Sequence, residues 1–280
     1  MQKMIWRLCG LLSLVGALTS ASLNAADNAT LITAAEPAVN DSARITYFVI
    51  SRQARPLQIE ESGGSHRGIV TDLVLQLARD INAPVDIVSL PFRRMLLEMK
   101  KDRSHNWMTY GSPAWRDKNS DSEQSDCLLS HPILNVTHSL VTRSDSGFTM
   151  NGVEDLFSHR IITLHGFSYP GLAHYFERGD ISKLDVKNHQ SAFKAVSAKR
   201  GLGFVGMDIR VAYSFAAEGF DRGDFSFHDL SSLIPEYPIY LSVDCSMDSD
   251  LREALDTALQ QRIEDGTLAK FQQRYQDRAR

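Results

Sequence analysis

Residues 110–143 read YGSPAWRDKNSDSEQSDCLLSHPILNVTHSLVTR. Arg116 lies just past Gly111 and Ser112, at what reads as a strand end, and a polar loop runs from Asp117 to Asp126. The loop leads into a long apolar and β-branched segment, Cys127 to Thr142, interrupted by Pro132 and a few polar residues. Such a segment reads as an extended crossing from one lobe to another. A guanidinium beside the crossing suits a small carboxylate held between lobes, because its planar fork grips both oxygens at once.

On the N-terminal side, ITYFVI from Ile45 is a short buried strand. After a loop with Arg55, Pro56, Gly63 and Gly64, the residues Val70, Leu73, Val74, Leu77 and Ile81 recur at helical spacing, with Asp72 in the first turn where it favours the helix dipole. PVDIVSLP predicts a second strand, RRMLLEMKKD a second helix, and Asn106 to Gly111 a third strand. Strand and helix alternating in this way indicates a parallel α/β sheet.

Beyond the crossing the same rhythm restarts. HRIITLHG reads as strand and turn, YPGLAHYFERGD as a helix with Pro170 in its first turn, and Asp185 to Asn188 as a brief strand. QSAFKAVSAKR predicts a helix, GLGFVGM a strand and DIRVAYSFAAEG a helix. EYPIYLSVDCS then reads as a strand. A helix follows in which Leu251, Leu255, Leu259 and Ile263 share a face, Asp250 caps the start and Gly266 ends it. Thr267 to Tyr275 forms a last helix, so both lobes are α/β.

The first 25 residues carry Lys3 and Arg7 before an apolar run from Leu8 to Leu18, then small residues, the pattern of a cleaved signal peptide. Residues 26–43 read as a loose leader. Without residues 1–25 the formal charge moves from −4 to −6. That balance argues against nucleic acid or an anionic membrane surface as partner. Cys127 and Cys245 remain, and in an oxidising compartment an even pair suggests a disulfide, the alternative being two separate buried thiols.

Five pieces in order carry a resemblance: Gly68-Ile69-Val70-Thr71-Asp72-Leu73, Arg116 with Ser130-His131-Pro132-Ile133, Gly166-Phe167-Ser168, Met207-Asp208-Ile209, and Asp265-Gly266-Thr267. Together they resemble the family 3 solute-binding proteins of bacterial amino-acid ABC transporters, which have the type II periplasmic binding fold. The resemblance spans roughly residues 44–277. It implies two α/β lobes joined by two crossing hinge strands, with lobe 1 from 44–136 and 243–280 and lobe 2 from 137–242. It also implies a monomer in the periplasm that binds a small polar solute, an amino acid or related carboxylate, for delivery to a membrane permease without turnover or cofactor.

By the same resemblance Arg116 takes the ligand carboxylate, although Pro113 stands where the family has a threonine and Ser112 would supply the hydroxyl instead. Asp208 matches the acid that accepts an amino group, and is equally an ordinary helix N-cap. Phe167 and Ser168 follow Gly166 at a strand-to-helix turn whose N–H groups favour an anion. Gly111, with Tyr47, Tyr110 and Trp115 (and Tyr169 beside them), would line the cleft or belong to the core. Mapped onto the family's antiparallel crossing strands, Cys127 and Cys245 meet in a disulfide near the hinge.

Three competing motifs fail on context. Gly201-Leu202-Gly203-Phe204-Val205-Gly206 matches a dinucleotide fingerprint but forms the strand itself. Gly166-Phe167-Ser168-Tyr169-Pro170 lacks the second glycine of a nucleophile elbow. The histidines lack metal-ligand spacing, so no metal is assigned. Two other functions suit the same fold: a free-standing sensory ligand-binding module, and an enzyme such as a cyclic-carboxylate dehydratase, for which Glu236 and His165 are the possible acids.

Overall fold

The computed structural model describes residues 43–101, 105–115 and 126–277. The expected signal peptide, nearly all of the expected leader and Arg116 lie outside the described residues.

Strand β1 (Ile45–Ile50) is composed almost wholly of strong β-formers and is buried nearly throughout, as a central parallel strand must be. A small hairpin, β2 (Ile59–Glu60) and β3 (His66–Arg67), leads into helix α1 (Ile69–Asp80). Gly68 begins that helix at φ 127, and a Cβ there would stand 2.5 Å from the Leu57 carbonyl oxygen, so only glycine fits. Strand β4 (Val85–Leu90), helix α2 (Phe92–Met99) and strand β5 (Trp107–Gly111) follow, and β4 and β5 flank β1 in parallel.

The long segment expected to cross is two strands. β6 (Asp126–Val136) belongs to the first sheet and β7 (His138–Arg143) to the second, with Thr137 alone between them. Pro132 is tolerated because β6 is an edge strand, where a missing N–H breaks no ladder. The second sheet adds β8 (Arg160–Leu164), β9 (Ser182–Val186), β10 (Gly203–Met207) and β11 (Phe225–Asp229) in the order β11-β7-β10-β8-β9. Helices α3 (Pro170–Arg178), α4 (His189–Ser197) and α5 (Asp208–Glu218) connect them. Phe193 packs among Phe204, Phe215, Phe220 and Phe225 at centroid distances of 4.3–6.0 Å, giving the second lobe an aromatic core.

The chain returns as β12 (Tyr237–Asp244), which inserts antiparallel between β5 and β6, and ends in α6 (Ser249–Glu264) and α7 (Thr267–Asp277). The first sheet thus reads β4-β1-β5-β12-β6. Asp72 accepts hydrogen bonds from Tyr275 (2.9 Å) and Arg274 (3.0 Å), fastening α7 to α1.

Several expectations shift. All of β12 lies in the first sheet, so the return crossing falls between Asp229 and Tyr237 rather than at residue 242. Asp248, not Asp250, caps α6, its carboxylate accepting from the N–H groups of Asp250 and Leu251. The strand expected at 185–188 begins earlier, at Ser182, because Asn188 is needed to cap α4. Cys127 and Cys245 are bonded, with a Cα–Cα separation of 5.0 Å. The bond is not beside the hinge: β6 and β12 pair from Val136↔Tyr237 at the crossing to Cys127↔Val243 at the far end, roughly 30 Å along the strand.

The lobes touch across the cleft. Phe92 stacks on Phe167 with centroids 4.8 Å apart and planes within 8°. Gln53 donates from the first lobe to the carbonyl oxygens of Lys187 (2.9 Å) and His165 (3.3 Å) in the second.

Candidate functional site

In open α/β sheets, ligands bind beyond the carboxyl ends of the parallel strands. Here those ends face each other across the crossings. Tyr110 comes from the end of β5 and Trp115 from the turn after it; Phe167, Ser168 and Tyr169 from the turn after β8; Met207 from the end of β10. His138 begins β7, Tyr237 begins β12, and Arg210 lies in the first turn of α5. All of these except Tyr110, together with His189, line a cavity of about 30 Å³ between the lobes.

Arg210 is the central charge. It is 3% exposed, yet among the described residues no carboxylate pairs with it. Its Nη2 donates to the Tyr110 hydroxyl at 2.5 Å, and its guanidinium sits 5.3 Å from the Phe167 centroid and 5.8 Å from that of Tyr110. Its Nε has no partner. Arginine stays protonated in proteins, and removing an ion from water costs several kcal/mol unless something offsets it. The aromatic faces and one hydroxyl offset part of that cost.

Two more nitrogens facing this region lack partners: Nδ1 of His138 and Nε2 of His189. The His138 Nε2 lies 3.4 Å from the Tyr237 hydroxyl, which accepts a hydrogen bond from the Trp115 indole at 2.9 Å. Burial, reinforced by the Arg210 charge, pushes His138 down to about 4 and His189 to about 3, so both imidazoles are neutral near pH 7. Burial pushes the hydroxyls of Tyr110, Tyr169 and Tyr237 up, with Arg210 opposing the rise in each. The cavity wall therefore carries one fixed positive charge and neutral hydrogen-bonding groups.

A model of the family described as bacterial extracellular solute-binding proteins, family 3, matches residues 47–278. The chain belongs to this family. Among solved structures, a mutant of ArgBP from T. maritima is 17% identical, covering 83% of this chain and 95% of its own at a TM-score of 0.64. The substrate binding protein of an amino acid ABC transporter is 12% identical over 83% of this chain and 98% of its own, at a TM-score of 0.66. The ancestral amino acid-binding protein AncCDT-1, a precursor of cyclohexadienyl dehydratase, is 16% identical over 83% of this chain and 94% of its own, at 0.63. At such identities the likeness establishes the shared two-lobed fold. No curated protein sequence matches the chain significantly.

The solute-binding fold brings together some of the residues read from the sequence and separates others. Trp115, Phe167 and Ser168 line the cavity, and Tyr110 holds Arg210 at its edge. Tyr47 does not: it is fully buried in the first lobe, and its hydroxyl is taken by Thr71 (3.0 Å) and Gln58 (2.9 Å). Ser112 donates to the Pro238 carbonyl at 2.7 Å, tying the end of β5 to β12. Gly111 packs on Ser242, where an added Cβ would come within 3.3 Å of the serine Cβ. Asp208 opens α5 without lining the cavity; its carboxylate accepts from the Thr137 hydroxyl (2.5 Å) and its N–H donates to the Thr137 carbonyl (2.9 Å). It clamps the one residue that links the two sheets on the outward crossing. Of the acids considered for an enzyme, His165 and Glu236 are both exposed and neither lines the cavity.

Arg210, His138, His189 and Tyr237 escaped the sequence reading. Arg210 alone left a signal. On α5 the buried positions are 210, 211, 213, 214 and 215, so an arginine sits in a stripe that otherwise asks for core residues.

Proposed function

We propose that this solute-binding protein captures a small carboxylate-bearing solute between its lobes, outside the cytoplasm, and passes it unchanged to a membrane permease. The observation that carries this reading is Arg210, a buried cation without a carboxylate partner among the described residues, in the wall of a cavity lined from both lobes. A ligand carboxylate supplies the missing counter-charge and, by touching both lobes, favours the closed form over the open one. The proposal includes export with removal of the first 25 residues, action as a monomer in the periplasm, and Arg116 as a further contact from the first lobe. The cavity of about 30 Å³ is smaller than an amino acid, so entry requires the lobes to part or the rings of Trp115 and Tyr237 to turn.

The test is a thermal-shift screen of mature protein, unfolded and refolded to free it of carried ligand, against amino acids, other small carboxylates, sugars and polyamines. A carboxylate at a hundredfold excess over its Kd stabilises by about 2.7 kcal/mol. Stabilisation by sugars or polyamines alone overturns the reading.

A further inference from the structure

The charge balance of the cavity narrows the ligand. A zwitterionic amino acid brings an ammonium group as well as a carboxylate, and a buried ammonium needs an acceptor of opposite charge to offset its desolvation. The described wall offers none. Asp208, the acid nearest in sequence to Arg210, accepts the Thr137 hydroxyl with one carboxylate oxygen and does not line the cavity. The unpartnered nitrogens there belong to an arginine and two neutral histidines, and a second cation beside Arg210 would be repelled by it. Apart from the Ser168 hydroxyl, the rest of the wall is largely apolar or aromatic, with Trp115, Leu164, Phe167, Val205, Met207 and Tyr237.

We propose that the physiological ligand is a monocarboxylate with an apolar or aromatic body and no amino group: a 2-oxo, 2-hydroxy or unsubstituted acid rather than the corresponding amino acid. This rests on the capture reading. Arg210 pairs with the carboxylate, and the free histidine nitrogens, each able to donate or accept according to tautomer, meet a 2-oxo or 2-hydroxy oxygen. The aromatic rings cover the body. Among the described lining residues no carboxylate meets an ammonium group, and leaving it unpaired discriminates against it.

Calorimetric titration of ligand-freed mature protein with matched pairs tests this: phenylalanine against 3-phenylpropanoate, 3-phenyllactate and phenylpyruvate, and leucine against 4-methylpentanoate and its 2-hydroxy and 2-oxo forms. The expected result is at least tenfold tighter binding of one or more acids than of the paired amino acid, lost in Arg210→Met. Circular dichroism of that variant shows whether it is folded; if it is not, Arg210→Lys takes its place, keeping the charge but losing the fork, with affinity at least tenfold weaker. Tighter binding of the amino acids overturns the inference and leaves capture of a carboxylate standing. Failure of every carboxylate in both series overturns both.

Discussion

His138 and His189 are neutral in the folded chain at pH values where a histidine in the unfolded chain is charged. With native values of about 4 and 3 against an ordinary 6.5, the unfolded state binds more protons between about pH 4 and 6.5, so stability rises with pH through that window and is level above it. Going from pH 7 to 4.5 costs about 2–3 kcal/mol per buried histidine. Asp155, Asp229 and Asp265, held below the usual carboxylate range by hydrogen bonds, remain ionised there and do not confuse the comparison. Urea midpoints at the two pH values check this: His189→Gln narrows the gap between them even where it lowers both, and an unchanged gap refutes the assignment. Arg210→Met is expected to leave the ligand-free protein as stable as the parent or more so, because an apolar side chain of similar length removes a buried charge that no carboxylate among the described residues pairs with. At this scale the sequence was a poor guide. A lone arginine or histidine reads the same whether it faces solvent or a cavity, and its charge environment is assembled from residues far apart in the chain, as Tyr110 and Arg210 are.

The elements were far more legible, because apolar periodicity and turn residues act locally. β1, α1, α5 and α6 stand where their patterns placed them. β11 was missed, since FSFHD is short and follows a helix end and a polar turn with Asp221, Arg222 and Asp224. The crossing was legible as a long extended run but not as two strands, for no residue type marks Thr137 as the place where one sheet yields to another. The turn before β12 has a tight counterpart in α3: a Cβ on Gly171 would run into the Leu233 carbonyl oxygen. Gly171→Ala is therefore expected to cost about 1–3 kcal/mol through displacement of the return crossing, read from guanidinium unfolding. The Cys127–Cys245 bond closes a separation of 118 residues, and removing it with paired Cys→Ser changes is expected to cost about 2–5 kcal/mol. Equal midpoints for the double variant and the parent under non-reducing conditions count against that figure.

For the whole molecule, closure rests on few contacts. The Phe92–Phe167 stack contributes about 0.5–1.5 kcal/mol to the closed form beyond its area, and Gln53 adds two hydrogen bonds. Phe92→Ala should raise the radius of gyration of the ligand-free protein in small-angle scattering and weaken apparent ligand affinity about two- to tenfold, since fewer molecules occupy the competent state. An unchanged scattering curve together with unchanged affinity means the stack does not govern closure. The two-lobed architecture itself was readable, because five short motifs in order and a βα rhythm that restarts after the crossing constrain topology more than any one of them does.

The far-end position of the disulfide also determines how load travels through the protein. Suppose the chain is pulled between Ile45 and Asp277. Tension arriving at Cys127 passes straight to Cys245, and the stretch between them, the entire second lobe included, carries none of it. The first lobe yields alone while the second stays folded as a slack side loop. With the bond reduced, the same pull draws out roughly 400 Å of additional contour.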